Sequence, residues 1–151
     1  MRLSEAVGLV KSDIHLDAHI PYIDLKPHAW RTLKTSTSIR QIPLVGASLW
    51  AAQRLMNKAS GQFLFPAYAN RESCNANSAS AALNQWLRRR LPVGCVIHSF
   101  RHSMRDRLRA VECDPTIIDE IGGWSRQSVG NNYGSGYPLE VKLKWLNKLI
   151  L

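Results

Sequence analysis

The sequence has few cysteines, no long apolar run and no recognisable leader segment. Its three cysteines, Cys74, Cys95 and Cys113, are widely spaced and form no CxxC pair. This spacing is typical of reduced thiols and indicates neither a disulfide framework nor a zinc site. No apolar segment reaches the roughly 18 residues that a membrane span needs, and the first residues lack the apolar core and cleavage site of a signal peptide. We therefore expect a cytoplasmic protein that has no disulfides and spans no membrane.

Acidic residues are scarce as well. The chain has 11 aspartates and glutamates against 20 lysines and arginines, a formal net charge of +9. Such an excess favours a polyanionic partner, because each cation placed near a phosphate releases condensed counterions. Charge alone leaves nucleic acid, an acidic membrane or no polyanion as alternatives. The 151 residues, 45% of them hydrophobic, suit one domain with a core of its own.

The pattern of apolar residues predicts an α+β domain that is mainly helical, with a small three-stranded antiparallel sheet near the N-terminus. Three short runs with roughly alternating apolar residues supply the strands: PYIDLKP, AWRTLK and IRQIPLV, all within residues 20–45. Helical spacing predicts helices over residues 1–11, 47–59, 78–90, 98–111, 114–121 and 138–149. Residues 66–79 are predicted to be a loop, and residues 125–138 a loop or a short, loosely held helix.

Helical wheels predict which side chains face the core. The inward sets are Leu49, Trp50, Leu55 and Met56; then Ala82, Leu83, Trp86 and Leu87; then Phe100, Met104, Leu108 and Val111. Two helix ends have capping signals: Ser78 is the expected N-cap of the third helix, and Asp114 precedes Pro115 at the first position of the fifth. Gly122 and Gly123 are expected to end that fifth helix.

The helix predicted over residues 98–111 is rich in histidine and arginine side chains that could take part in binding or catalysis. His98 and Arg101 are three residues apart, so both side chains can reach one point beside the helix N-terminus, where backbone N–H groups favour an anion. Residues 88–109 contain seven arginines and only one acid, Asp106. A solvated basic face explains much of this pattern, and HxxR alone is common. A functional interpretation therefore depends on further motifs.

Those motifs resemble a known family. The segment His98-Ser99-Phe100-Arg101-His102 resembles the HxLRH signature of tyrosine recombinases and phage integrases. Downstream, Ile121-Gly122-Gly123-Trp124 resembles the LGH segment of that family, with Trp124 where histidine is commoner, a replacement that has precedent within the family. Tyr133 follows Trp124 by nine residues, which is the family's spacing to its nucleophilic tyrosine.

Two earlier segments extend the resemblance toward the N-terminus. Residues 1–5, MRLSE, are similar to the LRxSE segment that supplies the first catalytic arginine and a supporting acid. Lys34-Thr35, followed by RQIPL at residues 40–44, resembles the β-hairpin lysine and the strand that ends in Pro-Leu. Five motifs thus occur in the family's order between Met1 and about Tyr137.

The resemblance implies six catalytic residues: Arg2, Lys34, His98, Arg101, Trp124 and Tyr133. Tyr133 would attack a DNA phosphodiester and form a 3′-phosphotyrosine with a free 5′-hydroxyl. Arg2 and Arg101 would hold the non-bridging oxygens as charge develops, and Lys34 would protonate the leaving oxygen. The covalent link keeps the energy of the broken bond, so no ATP is required. Because arginines hold the phosphate oxygens, no metal is expected either, and the predicted cofactor set is empty.

The remaining residues have supporting roles in this interpretation. His98 would donate to the phosphate or assist proton transfer, and Trp124, which has one N–H donor and no acceptor, would position the phosphate or the nucleophile. Support for the site is assigned to Glu5 and His102, and contacts with DNA to Arg88, Arg89, Arg90 and Arg105. Three alternatives stay open. In the first, Tyr137 is the nucleophile; in the second, Tyr133 is an ordinary loop residue; in the third, Trp124 is a core aromatic without a role in the site.

The family also implies an architecture and partners. Residues 1–151 would form a catalytic domain truncated at its N-terminus, without the core-binding and arm-binding domains of relatives. Double-stranded DNA would be the partner in the bacterial cytoplasm, with four protomers assembled on DNA and a monomer or weak dimer without it. The C-terminal helix would pack on its own core or on a neighbouring protomer.

Site-specific recombination is the function expected from the resemblance. Two alternatives share its features, a catalytically silent DNA-binding remnant and a type IB topoisomerase-like enzyme that relaxes DNA. A basic peripheral membrane protein is disfavoured, because the most basic helix has a narrow apolar stripe suited to a core.

Overall fold

The computed structural model describes residues 1–35, 38–124 and 136–150. Within these ranges the chain forms six α-helices and one three-stranded antiparallel sheet. The elements are α1 (Leu3–Val7), β1 (Ile14–His15), β2 (Tyr22–Leu25), β3 (Arg40–Pro43), α2 (Gly46–Lys58), α3 (Ala76–Leu87), α4 (Ser99–Ala110), α5 (Pro115–Gly122) and α6 (Leu139–Asn147). The predicted mainly helical α+β class is confirmed. None of the described helices has both the length and the apolar character that crossing a membrane requires.

The sheet has the strand order β1-β2-β3. Ile23 in β2 pairs with Ile14 on one side and Ile42 on the other, and Leu25 pairs with Arg40. Ile23 and Leu25 face the core, whereas Tyr22 and Asp24 are half-buried, as expected for a sheet with one packed face. The prediction of three antiparallel strands is therefore confirmed.

The predicted identity of one strand was wrong. The run AWRTLK, residues 29–34, is not a strand, and β1 at Ile14–His15 takes its place. Backbone groups of His28 and Arg31 bond each other in a tight turn, with both N–H···O distances 3.0 Å. The Arg31 side chain is buried there, where Nη2 binds Asp13 at 3.3 Å. This ion pair joins residues 18 positions apart, and a pattern of alternating apolar residues does not reveal such a contact.

Two hydrophobic clusters make up the core. The first lies between the sheet and α2 and contains Leu9, Ile14, Ile23, Leu25, Leu44, Ala52 and Leu64. The second is formed by α4, α5 and α6 and contains Leu108, Cys113, Ile117, Ile118, Ile121 and Leu146. Because Leu146 is buried in this second cluster, the C-terminal helix packs on its own chain in this structure.

Helix ends follow local capping chemistry, with two corrections. Asp114 caps α5 by accepting the Thr116 N–H at 2.7 Å, and Gly123 ends it in the left-handed conformation, as predicted. The prediction that Ser78 caps α3 was wrong: Asn75 accepts the Ser78 N–H at 3.0 Å. The predicted first helix extends only over Leu3–Val7.

Three aromatic residues predicted to face the core are exposed: Trp50 by 60%, Trp86 by 54% and Phe100 by 59%. Arginines cover the two tryptophan rings, with Arg54 Cζ 5.0 Å and Arg90 Cζ 4.3 Å from the ring centres. In α4 the adjacent Arg101 is buried instead of Phe100. The other predicted inward residues of α4, Met104, Leu108 and Val111, do pack in the second cluster. Only the first turn of the helix departs from the predicted wheel, and a guanidinium enters the interior there.

Candidate active site

Three successive carbonyl oxygens at the C-terminal end of α5 each accept a hydrogen bond from a different arginine. The pairs are Arg40 Nε to Ile121 at 3.0 Å, Arg101 Nη1 to Gly122 at 2.6 Å, and Arg2 Nη2 to Gly123 at 3.2 Å. Carbonyls at this end of a helix have no intrahelical partner and carry partial negative charge, so they attract cations. The end of α5 thus gathers guanidiniums from the N-terminus of α1, from β3 and from α4.

The two glycines at this helix end leave room for the arginine side chains to approach it. Gly123 has φ +64°, and a Cβ there would lie 2.4 Å from Arg40 Nη1. A Cβ on Gly122 would lie 1.6 Å from a ring carbon of Trp124. Only residues without side chains permit this approach. The Gly-Gly pair therefore both ends the helix and makes room for Arg40 and Trp124.

Glu5 is the carboxylate of this cluster and is only 2% exposed. Arg2 Nη1 binds Glu5 Oε1 at 2.8 Å, while Arg40 Nη2 and the Arg2 backbone N–H bind Oε2 at 3.0 and 2.7 Å. Burial raises the pKa of Glu5, but the hydrogen bond and charge of Arg40, together with the bonds from Arg2, outweigh burial and lower that pKa below its ordinary 4.5. Glu5 is therefore ionised at neutral pH and fixes the Arg2 guanidinium.

Arg101 occupies the buried side of the cluster and is 7% exposed. Burial and the neighbouring charge of Arg2 lower the pKa of Arg101 to about 10, so the guanidinium remains a cation at neutral pH. Its Nη2 is buried and has no hydrogen-bond partner among the described residues. A buried donor without an acceptor costs free energy, and the cluster is therefore suited to receive an additional anionic oxygen.

Trp124 follows the glycine pair and lies against two arginines of α4. Its ring centre is 4.1 Å from Arg101 Cζ and 4.8 Å from Arg105 Cζ. Arg105 is also held by Asp119, with Nη2 3.1 Å from Oδ1. Cation–π attraction and the ion pair together hold the indole beside the cluster. The Arg105 side chain, predicted to contact DNA, is about one-third exposed, and its guanidinium already contacts Asp119 and Trp124 within the protein.

His98 and His102 lie on the exposed side of α4. Their ring centres are 5.0 Å apart and the ring planes meet at 71°. Partial burial, followed by the charges of His102, Arg101 and Arg2, lowers the pKa of His98 below its ordinary 6.5. His98 is thus mostly neutral at pH 7 and retains a nitrogen lone pair that can accept a proton.

Lys34 and Arg2 line the same cavity. The cavity measures about 310 Å³ and is lined by Arg2, Ser4, Glu5, Trp30, Arg31, Thr32, Lys34 and Cys74. The turn before Lys34 is anchored because Arg31 Nη1 donates to the Glu5 carbonyl at 3.0 Å. Lys34 and Arg2 are therefore brought to one cavity, although they are 32 positions apart in the sequence.

Other predicted residues lie elsewhere or outside the described ranges. Tyr133 falls in residues 125–135, which are outside the described part of the chain. The Tyr137 hydroxyl is 2.6 Å from Thr116 Oγ1, at the N-terminal end of α5. The three consecutive arginines after α3, Arg88, Arg89 and Arg90, are exposed. Arg90 Nη1 donates to the Trp86 carbonyl at 3.2 Å.

Sequence reasoning missed two members of the cluster, Arg40 and Ser38. Arg40 is 6% exposed, and Ser38 is fully buried with its hydroxyl accepting Arg2 Nη1 at 2.9 Å. The signal for Arg40 was its position in β3, where alternation places it on the same face as Ile42. Ser38 belongs to a run of small polar residues in the sequence, and no pattern distinguishes it from its neighbours.

The comparisons with known proteins agree with the motif analysis. The profile of the phage integrase family matches residues 1–137, which include every member of the cluster. Comparisons with curated proteins and with solved structures gave no significant match.

Proposed function

Because the chain belongs to the phage integrase family, we propose that it is a tyrosine recombinase catalytic domain that cuts and rejoins DNA during site-specific recombination. The observation that carries the proposal is the convergence of Arg2 and Arg101 on the neighbouring carbonyls of Gly123 and Gly122. Two fixed guanidiniums at one point suit a phosphodiester, whose two non-bridging oxygens gain charge as a nucleophile attacks.

Arg2 is the more accessible of the two arginines, with its side chain 23% exposed. Arg101 has an unsatisfied Nη2 donor that is covered from solvent. A phosphate oxygen reaches this donor only if neighbouring side chains shift when DNA binds. The free protein holds the donor unpaired, so part of the binding interaction is reserved for the reacting phosphate.

Tyr133 is the nucleophile in this proposal. Its phenolic oxygen forms a bond to phosphorus while the bond from phosphorus to the 5′-oxygen breaks. The phenolic proton passes to neutral His98, since an ordinary phenol is mostly un-ionised at pH 7. Lys34 donates a proton to the departing 5′-oxygen. The reverse reaction, with the 5′-hydroxyl of an exchanged strand, rejoins the DNA.

The geometry disfavours Tyr137 in the same role. Its hydroxyl lies beside Thr116 in the first turn of α5, and its backbone N–H binds Glu120 at 2.9 Å. Gly123 is seven residues beyond Thr116, so the arginine cluster is roughly 10 Å away along the helix. The Tyr137 hydroxyl is thus held near the N-terminal end of α5, away from the arginine cluster.

The DNA partner is further supported by the net charge of +9 and by the exposed arginines that follow α3. We assign phosphate contacts outside the reacting site to Arg88, Arg89 and Arg90, with strand exchange requiring four protomers on DNA. These contacts position the duplex without reading its sequence.

A nicked duplex that traps the covalent intermediate tests the proposal. Attack next to the nick releases a short strand, which diffuses away and prevents religation, so a protein–DNA adduct accumulates. We expect an adduct with the natural sequence and with Tyr137→Phe, and none with Tyr133→Phe. An absence of adduct in the presence of intact DNA binding would instead identify a silent DNA-binding remnant. Supercoil relaxation without strand exchange would identify a topoisomerase-like activity.

A further inference from the structure

Arg40 is a buried arginine all three of whose guanidinium nitrogens are bonded within the protein. Nε donates to Ile121 at 3.0 Å, Nη1 to the Ser38 carbonyl at 2.6 Å, and Nη2 to Glu5 Oε2 at 3.0 Å. Its side chain is 2% exposed, so it is shielded from solvent and from DNA. These bonds join α1, β3 and α5 at a single planar group.

Each partner of Arg40 lies next to a group that holds one of the phosphate-binding arginines. Glu5 Oε1 and the Ser38 hydroxyl both accept from Arg2 Nη1, at 2.8 and 2.9 Å. Ile121 precedes Gly122, the acceptor for Arg101 Nη1. Arg40 therefore bonds the supports of Arg2 on one side and the support of Arg101 on the other.

We propose that Arg40 is a positioning residue for strand cleavage, which sets the separation and orientation of Arg2 and Arg101 by bridging Glu5 and Ser38 to the end of α5. The inference rests on the proposed function. A planar fork with donors in fixed directions is required, because the three acceptors come from three elements. Lysine has one ammonium and cannot reach all three.

Cleavage rates with two kinds of DNA linkage distinguish this role from general stabilisation. The nicked substrate is made with a natural phosphate and with a methylphosphonate, in which a neutral methyl group replaces one non-bridging oxygen. The neutral linkage develops less charge, so it depends less on the arginines that hold those oxygens. The variants are Arg40→Met, Arg40→Lys and Arg2→Met. The control is Leu64→Ala, which removes a buried side chain from the core cluster beneath the sheet.

We expect Arg40→Met to slow adduct formation on the phosphate by at least about 10-fold, and on the methylphosphonate by less than about threefold. Arg40→Lys should fall between Arg40→Met and the natural protein on the phosphate. In the double variant Arg2→Met/Arg40→Met, the Arg40 change should slow cleavage by a smaller factor than it does in the natural protein, because the part of its effect that acts through Arg2 is already lost. Leu64→Ala should leave both rates per folded molecule unchanged. Equal slowing of both linkages by Arg40→Met, or additive effects in the double variant, would overturn the proposal.

A measurement without DNA separates this inference from the proposed function. Side-chain guanidinium N–H resonances of Arg2 and Arg101 are recorded by NMR in the natural protein, Arg40→Met and Leu64→Ala. We expect these signals to shift or broaden in Arg40→Met while the backbone spectrum persists, and to remain in Leu64→Ala. If the natural protein forms no adduct, the proposed function fails and this spectrum alone decides the inference. Unchanged Arg2 and Arg101 signals in Arg40→Met would reject it.

Discussion

Arg105 lies with its guanidinium carbon 4.8 Å from the centre of the Trp124 ring, while its Nη2 bonds Asp119 at 3.1 Å. Both partners are inside the fold, so Arg105 differs from the exposed arginines that follow α3. We interpret Arg105 as a support for Trp124, and contact with DNA is then a secondary role at most.

This interpretation predicts different phenotypes for two arginines. Arg105→Met should slow adduct formation by on the order of 10-fold at saturating DNA, since Trp124 loses a contact beside Arg101. Arg88→Gln should leave that rate nearly unchanged, but should weaken DNA binding and lower the salt slope by about one. Titrations at several salt concentrations and single-turnover cleavage measure the two effects. The same salt-slope loss for Arg105→Met, with an unchanged cleavage rate, would make Arg105 an ordinary phosphate contact.

Gly123 is predicted to be intolerant of any side chain. Gly123→Ala forces a left-handed conformation on alanine, which costs about 1–2 kcal/mol, and its Cβ would displace Arg40 Nη1. Chemical denaturation should show a loss of at least about 2 kcal/mol. Gly61→Ala is the matched control, because a Cβ there meets nothing within 4 Å. Equal stability of the two variants would contradict the crowding at the end of α5.

The contrast between Gly123 and Arg40 shows how far the sequence predicts this molecule. Asp114-Pro115 and Gly122-Gly123 delimit α5 by chemistry confined to a few neighbouring residues, so both ends of that helix were predicted correctly. Arg40 looked like an ordinary strand residue. Its role depends on Glu5 and Ile121, which are 35 and 81 positions away.

The candidate site also combines residues that the sequence predicts with an arrangement that depends on long-range packing. Motif order predicted Arg2, Lys34, His98, Arg101 and Trp124 as candidates, because the resemblance covers most of the chain. The burial of Arg101 in place of Phe100 was not predicted, since a helical wheel assigns the apolar side chains to the core. Arg101 enters the interior because Gly122 supplies an acceptor there, and this acceptor is known only once α4 and α5 are packed.

The lowered pKa of Glu5 predicts that the stability of the fold decreases at acid pH. Because its pKa is lowered in the folded state, its contribution to stability is present above the ordinary value of 4.5 and is lost as pH falls through the lower folded pKa. Glu5→Gln should unfold more easily at pH 7 by about 3–5 kcal/mol, since Arg40 loses its buried counter-charge. The variant should also lack part of the decline in stability below pH 4.5. Denaturation at several pH values measures both effects, and parallel pH profiles for the two proteins would contradict the assignment.

The lowered pKa of His98 predicts how the rate of adduct formation changes at acid pH. Because its pKa is lowered below the ordinary 6.5, the imidazole is still mostly neutral at pH 6.5. If His98 accepts the phenolic proton, kcat/KM for adduct formation should decline toward acid pH with a midpoint below 6.5. His102→Ala removes one of the charges that lower the pKa, so its decline should begin at higher pH. A profile that rises below pH 6.5 would mean that protonated His98 is the active form.

The central claim is that Arg2, Lys34, His98, Arg101 and Trp124 surround one phosphate and that Tyr133 reacts with it. A crystal structure of the adduct trapped on nicked DNA tests it most directly. We predict a bond from Tyr133 to the 3′-phosphate, with nitrogens of Arg2 and Arg101 both within about 3 Å of its non-bridging oxygens. A phosphate attached to another residue, or attached to Tyr133 but contacting neither arginine, would contradict the account.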